Sequence, residues 1–132
     1  MAYNVKVNYQ GDMYCNVNYI TGDYNIITSA AHNDYFSPVE LLAGALSACT
    51  VSMIAATVKG KNIPLDTKGI SMETESLVEN HKVLGFNAVI KIAASERLSD
   101  KDKTMLEAAA ASCPVKGALS PDINIKYEFR YE

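Results

Sequence analysis

Two cysteines stand in settings that favour chemistry at sulfur. Cys49 lies in the middle of a long apolar segment, and Cys113 directly precedes a proline in ASCPVKGAL. A helical turn beginning at Pro114 would present free backbone N–H groups and the positive end of its dipole to the Cys113 sulfur. Such a setting lowers the pKa of a thiol, and the thiolate is its nucleophilic form. The two residues therefore indicate nucleophilic or redox chemistry.

Ordinary structural roles remain open for the same residues. Cys49 could be a small buried hydrophobe, and Cys113 could simply cap the turn after an alanine-rich helix. Cys15 lies on an apolar strand face, and we interpret it as a side chain that only fills space in the core or at the surface. His32 and His81 fall in loops, with no acid at metal-ligand spacing. We therefore expect no metal site and no cofactor.

The composition is that of one ordinary globular domain. The 132 residues are 48% hydrophobic and 20% charged, which fits a single core over residues 1–132. The net charge is -3 and Lys and Arg form no stripe, so we expect no nucleic-acid partner. The N-terminal residues lack the basic and apolar regions of a signal peptide, and we expect a cytoplasmic location. Three cysteines are too few for a disulfide scaffold.

The first part of the chain alternates apolar and polar residues, which is the period of half-buried strands. The turns QGD and TGDY separate three such segments. They predict an antiparallel meander over residues 3–9, 13–20 and 25–30. Ser37 and Pro38 then form a helix start, because Ser can cap a free N–H and Pro has none to lose. We predict a helix from about residue 38 to residue 58.

This predicted helix is apolar on all sides and long enough to span a bilayer. Glu40 near its start and several hydroxyl side chains along it argue against a membrane segment. A helix that is apolar all round cannot be covered by one small sheet. Gly44, Ala45 and Ala48 would allow a second backbone to approach closely. We therefore predict a homodimer buried along this helix.

The rest of the chain predicts a hairpin, a second helix and a closing strand. Segments 67–78 and 83–94 flank the turn ENHK, a helix follows Ser99 to about residue 111, and residues 123–131 alternate again. The inward residues of the second hairpin strand are predicted to be Leu84, Phe86, Ala88, Ile90 and Ile92. The order indicates an α+β fold in which antiparallel sheets pack against a long central helix.

The two cysteine segments together resemble a known family. SPVELLAGALSAC around Cys49 and SCPVKGALSPDINIKYEF around Cys113 look like the signature segments of the OsmC/Ohr family of thiol-dependent hydroperoxide reductases. The likeness covers the order of elements over most of the chain. It implies an intertwined homodimer with two sites at its interface, with Cys49 as the peroxidatic cysteine and Cys113 as the resolving cysteine. It also implies an organic hydroperoxide as substrate and an external dithiol as reductant.

Two positions depart from the characterised branches of that family. There an arginine paired with a glutamate activates the peroxidatic cysteine, and the glutamate precedes it by ten residues, which is Val39 here. Glu40 is displaced by one residue and is our third catalytic candidate. It lies about 900° of helix rotation from Cys49, so we expect it to act across the dimer. The arginine is expected in residues 28–36, where His32 is the only basic residue.

The first hypothesis for function is a thiol-dependent peroxidase that uses Cys49 and Cys113. The apolar surroundings of Cys49 favour organic hydroperoxides over H2O2. The alternative is a non-catalytic, dimeric OsmC-like protein that binds a small molecule or a lipid. A third interpretation has Cys49 buried and inert.

Overall fold

The structure, a computed structural model, describes residues 4–132; Tyr3, the first residue of the predicted meander, lies outside them. It divides into two compact units, one ending at Leu42 and one running from Ala43 to Glu132. Strands and helices are mixed, which confirms the α+β class. The strands are β1 Val5–Gly11, β2 Tyr14–Tyr19, β3 Asn25–Ser29, β4 Ile70–Glu79, β5 Lys82–Ile92 and β6 Asn124–Tyr131; the helices are α1 Pro38–Gly60, α2 Asp100–Ala111 and α3 Pro114–Ala118.

The N-terminal unit contains the predicted antiparallel meander, in the order β1-β2-β3. Its first turn falls at Asp12 and Met13, which both have positive φ, so Met13 belongs to the turn and not to β2. The apolar face of β1 is not half-buried as expected. Val5, Val7 and Tyr9 are 66%, 55% and 65% exposed, because none of the described residues of this unit covers that face.

Helix α1 begins where the sequence predicts and ends two residues later than expected, at Gly60. Ser37 is its N-cap and Glu40 completes a capping box, in which each side chain accepts a hydrogen bond from the other residue's backbone N–H. The buried residues of α1 recur every three or four positions: Ala43, Leu46, Thr50, Ile54 and Val58. One face of the helix is therefore buried although the sequence is apolar all round.

The C-terminal unit contains a second sheet in the order β4-β5-β6. Strands β4 and β5 form the predicted hairpin around Asn80 and His81, which both have positive φ. Strand β6 lies parallel to β5, so the prediction of purely antiparallel sheets is wrong for this pair. The physical reason is that α2 and α3 form a crossover connection, which returns the chain to the end of the sheet where β5 began.

The core of this unit lies between α1, α2 and the sheet. Phe86, Ala88, Ile90 and Ile92 point inward and are buried, as predicted. Leu84 is 46% exposed; the prediction is wrong there because Leu84 lies at the hairpin end of β5, before the first buried residues of the strand. The main core cluster comprises Ile54, Val58, Ile63, Ile90, Ile92, Leu98, Leu106 and Ala110.

Candidate active site

Helix α1 places Cys49 at the edge of its buried face. The next residue, Thr50, is fully buried, and its hydroxyl donates a 2.8 Å hydrogen bond to the carbonyl oxygen of Leu46. Cys49 itself is partly exposed. The rigid helix therefore fixes the sulfur of Cys49 at the margin of the core, where a small molecule can reach it.

The junction between α2 and α3 places Cys113. Helix α2 ends at Ala111, and Pro114 starts α3 with Cys113 as its N-cap. The Cys113 side chain is buried, at 2% exposure, and its sulfur lies 4.0 Å from the carbonyl oxygen of Leu46 on α1. The start of α3 thus packs against the helix that carries Cys49.

Cys49 and Cys113 are brought together, and both are free thiols. Each thiol shifts the pKa of the other, and the Cys113 sulfur lies 4.0 Å from the carbonyl oxygen of Leu46 on the helix that carries Cys49. They are 64 positions apart in the chain, and α1, the hairpin and α2 together create their proximity. Two adjacent thiols of this kind can be oxidised to a disulfide and reduced again.

The surroundings shift the pKa values of the two thiols in opposite directions. Hydrogen bonding with Cys113 raises the pKa of Cys49, and the backbone N–H of Val115 acts against this. For Cys113, burial is the largest influence and opposes ionisation. Hydrogen bonding by Cys49 and by the Lys116 N–H, with smaller contributions from Thr50 and Val115, outweighs burial and lowers the pKa of Cys113.

These opposite shifts describe a pair that shares one negative charge. The first proton leaves the pair more easily than it would leave an isolated cysteine, and the second leaves less easily. The sequence argument that free N–H groups surround Cys113 agrees with this geometry, although neither Val115 nor Lys116 makes a well-aligned capping bond to its sulfur. Cys113 is the buried thiol of the pair, and Cys49 is the accessible one.

Thr50, Lys116 and Tyr127 also lie at the dithiol, and none of them was predicted from the sequence as a site residue. The Thr50 hydroxyl lowers the pKa of both Cys113 and Tyr127. Tyr127 projects inward from β6, and the ammonium of Lys116 lies 5.5 Å from the centre of its ring. The alternation of residues in the closing strand predicts which of them point inward. The position of Tyr127 beside the cysteines, however, depends on the parallel pairing of β6 with β5.

Glu40 and His32 lie in the N-terminal unit. The carboxylate of Glu40 accepts a 2.9 Å hydrogen bond from the Ser37 N–H, and this bond lowers its pKa. Ring Nε2 of His32 lies 2.9 Å from the carbonyl oxygen of Asp12, and the ring stacks on Tyr14. Both side chains thus have local partners that explain their positions.

Within residues 4–132, no cluster of three His, Cys, Asp or Glu side chains could hold a metal ion. Helix α1 is long and apolar enough to cross a membrane, a test that core helices of soluble proteins also pass. Only 28% of its most apolar stretch is buried in the chain.

The long helix, the two sheets and the paired thiols define a small α+β protein with a dithiol centre. The family model described as OsmC-like protein matches residues 31–128, and the chain belongs to this family. Its fold is that of soluble proteins, and one face of α1 is buried.

Solved structures with the same fold cover nearly the whole chain. An osmotic stress induced and detoxification response protein from Psychrobacter arcticus is 26% identical with a TM-score of 0.86, over 98% of this chain and 97% of that one. An OsmC-like protein from Mycoplasma pneumoniae is 15% identical with a TM-score of 0.85, over 99% and 97%.

The organic hydroperoxide resistance protein OhrB of Bacillus subtilis is 21% identical with a TM-score of 0.69, over 97% of this chain and 98% of that one. A comparison with curated proteins found no match.

Proposed function

We propose that the protein is a thiol-dependent peroxidase that reduces organic hydroperoxides through Cys49 and Cys113. The observation that carries the proposal is the packing of the free thiol of Cys113 against the helix that carries the free thiol of Cys49, with its sulfur 4.0 Å from the Leu46 carbonyl oxygen. Membership of the OsmC-like family supports it. So does the shared fold of proteins named for organic hydroperoxide resistance, among them OhrB.

The reaction requires one sulfur to attack and one to resolve. The Cys49 thiolate attacks the O–O bond of ROOH, forms Cys49–SOH, and releases RO⁻, which takes up a proton to become ROH. The Cys113 thiol then displaces water from the sulfenic acid and closes a disulfide. An external dithiol reduces the disulfide and completes the cycle.

The accessibility of the two sulfurs supports this division of roles. Cys113 is 2% exposed and Cys49 is partly exposed, so an incoming hydroperoxide reaches the Cys49 sulfur more readily. The Cys49 thiolate is therefore the form that attacks. The Cys113 thiol then remains in place to resolve the sulfenic acid.

We further propose a cytoplasmic homodimer in which each chain, residues 1–132, forms a single OsmC-like domain. Gly44, Ala45 and Ala48 are exposed along α1, and an apolar helix left open in a soluble protein needs a cover. A second copy of the chain supplies it. In such a dimer Glu40 serves the site of the partner chain in addition to capping its own helix.

Stopped-flow consumption of cumene hydroperoxide with excess dithiol tests the function. We expect Cys49→Ser to abolish turnover, Cys113→Ser to allow a single oxidation without efficient recycling, and Cys15→Ser to behave as the parent protein does. Consumption by Cys49→Ser at the parental rate would refute the proposal.

A cavity in the N-terminal unit favours the second candidate, a non-catalytic binding protein. Its volume of about 530 Å³ lies within the usual range for small-molecule sites. A retained apolar ligand in native mass spectrometry, without any peroxide consumption, would support this function instead. The cavity is lined by Asn25, Ile26, Ile27, Asn33, Asp34, Tyr35, Phe36 and Glu40.

A further inference from the structure

Tyr127 carries a buried hydroxyl that lacks a protein partner. Its oxygen is shielded from solvent and makes no hydrogen bond within residues 4–132. The ring packs against the core cluster, so the side chain cannot turn outward without giving up that packing. Unpaired buried hydroxyls are uncommon in folded proteins because they forfeit their hydrogen bonds to water. An O–H held in this way is free to bind something else.

The free O–H of Tyr127 lies at the dithiol. The ammonium of Lys116 lies 5.5 Å from the centre of the Tyr127 ring, and Lys116 belongs to the short helix α3 that Cys113 caps. The phenol therefore lies beside the segment that carries Cys113, and both thiols raise its pKa. Thr50 also acts on it, but the Thr50 hydroxyl donates to the Leu46 carbonyl oxygen and makes no hydrogen bond of normal geometry with Tyr127. The phenol is therefore the uncommitted donor of this cluster.

We propose that Tyr127 is a catalytic residue whose phenolic O–H donates to the oxygen that leaves when the thiolate cleaves a hydroperoxide. This inference rests on the proposed peroxidase function. In this proposal the Tyr127 phenol protonates the departing oxygen, while the thiols of Cys49 and Cys113 carry out the sulfur chemistry.

The proton balance of the step is straightforward. The Cys49 thiolate forms the S–O bond as the O–O bond breaks, and the bonding electrons stay on the departing oxygen as RO⁻. Tyr127 gives its proton to RO⁻, which becomes ROH, and the phenolate recovers a proton from water.

Two features suit Tyr127 to this transfer. Burial raises its pKa, and the charges of Cys113 and Cys49 raise it further, so the phenol carries its proton at neutral pH. The ammonium of Lys116, 5.5 Å from the ring centre, stabilises the negative charge that the ring gains during the transfer.

The test compares two leaving groups. An alkyl hydroperoxide releases an alkoxide, which needs a proton, whereas peracetic acid releases acetate, which does not. The rate of oxidation of the reduced protein is measured with tert-butyl hydroperoxide and with peracetic acid for the parent, Tyr127→Phe and Tyr131→Phe. Tyr131 is the matched control, because it lies on the same face of β6 and donates to the Glu107 carboxylate instead.

We expect Tyr127→Phe to slow oxidation by tert-butyl hydroperoxide about 100- to 1,000-fold, the usual effect of removing one donor from a developing oxyanion. Its rate with peracetic acid and its alkylation by iodoacetamide should stay within about twofold of the parent. Tyr131→Phe should match the parent in all three assays.

Equal slowing of both oxidants, or no slowing by Tyr127→Phe, overturns the role of Tyr127 and leaves the peroxidase proposal standing. If the parent consumes no hydroperoxide, the peroxidase proposal fails and the role of Tyr127 is overturned with it.

Discussion

Tyr127 and Tyr131 both point inward from β6, and removing the hydroxyl group of each should change the stability of the protein in opposite directions. Tyr127 holds a buried hydroxyl without a hydrogen-bond partner in the described part of the chain, whereas the Tyr131 hydroxyl donates a 2.8 Å bond to Glu107. Leaving a buried hydroxyl unpaired costs about 1–3 kcal/mol. Because only its oxygen is enclosed and the rest of the Tyr127 side chain is partly exposed, we take the lower end of this range.

Tyr127→Phe should therefore increase the free energy of unfolding by about 1 kcal/mol. Tyr131→Phe should decrease it by about 1 kcal/mol, since it removes a hydrogen bond to a carboxylate near the surface. The difference of about 2 kcal/mol would separate the urea midpoints of the two variants by about 1 M at a typical slope.

Urea unfolding followed by circular dichroism measures both changes. All proteins must be compared at the same protomer concentration, because the unfolding of a dimer depends on concentration. A loss of stability in Tyr127→Phe equal to that in Tyr131→Phe would show that the Tyr127 hydroxyl is hydrogen-bonded and would refute the reasoning. A gain in stability with a loss of activity would be the usual signature of a group held unpaired for function.

Further predictions test the helix start, the thiol environment and the sheet. Ser37→Ala should cost about 1 kcal/mol of stability through loss of the N-cap, whereas Glu40→Gln keeps the capping bonds and should slow peroxide reduction only if Glu40 serves the partner's site. The pKa of Glu40 is lowered, so its contribution to stability is present above its unfolded pKa and is lost as pH falls through the folded pKa; acid titration of Glu40→Gln should lack this step. Thr50→Val removes a hydroxyl that lowers the pKa of Cys113, so the pH at which the first thiol of the pair ionises, followed by the ultraviolet absorbance of the thiolate, should rise; an unchanged midpoint would contradict this effect of Thr50. Gly85→Ala should cost about 1–3 kcal/mol, because the added Cβ would overlap the carbonyl oxygen of Asn124; wild-type stability would exclude the close parallel approach of β5 and β6.

Much of the fold could be predicted because its signals are local. The alternation of the strands, the Ser37-Pro38 start of α1 and the polar N-terminus of α2 each depend on a few neighbouring residues. The segment SPVE even contains the complete capping-box pattern, which accounts for the position of Glu40 at the helix start.

The unpredicted features depend on contacts between distant segments. The parallel pairing of β6 follows from the crossover through α2 and α3, and no local pattern distinguishes it from an antiparallel strand. Tyr127 reaches the cysteines only because of that pairing. The exposure of Leu84 likewise reflects where the hairpin ends relative to the core.

Mass spectrometry after one equivalent of tert-butyl hydroperoxide tests the dithiol most directly. The reduced protein should lose two hydrogen atoms, and peptide mapping should find Cys49 linked to Cys113. A stable gain of one oxygen atom at Cys49, or a link that involves Cys15 instead, would contradict the account.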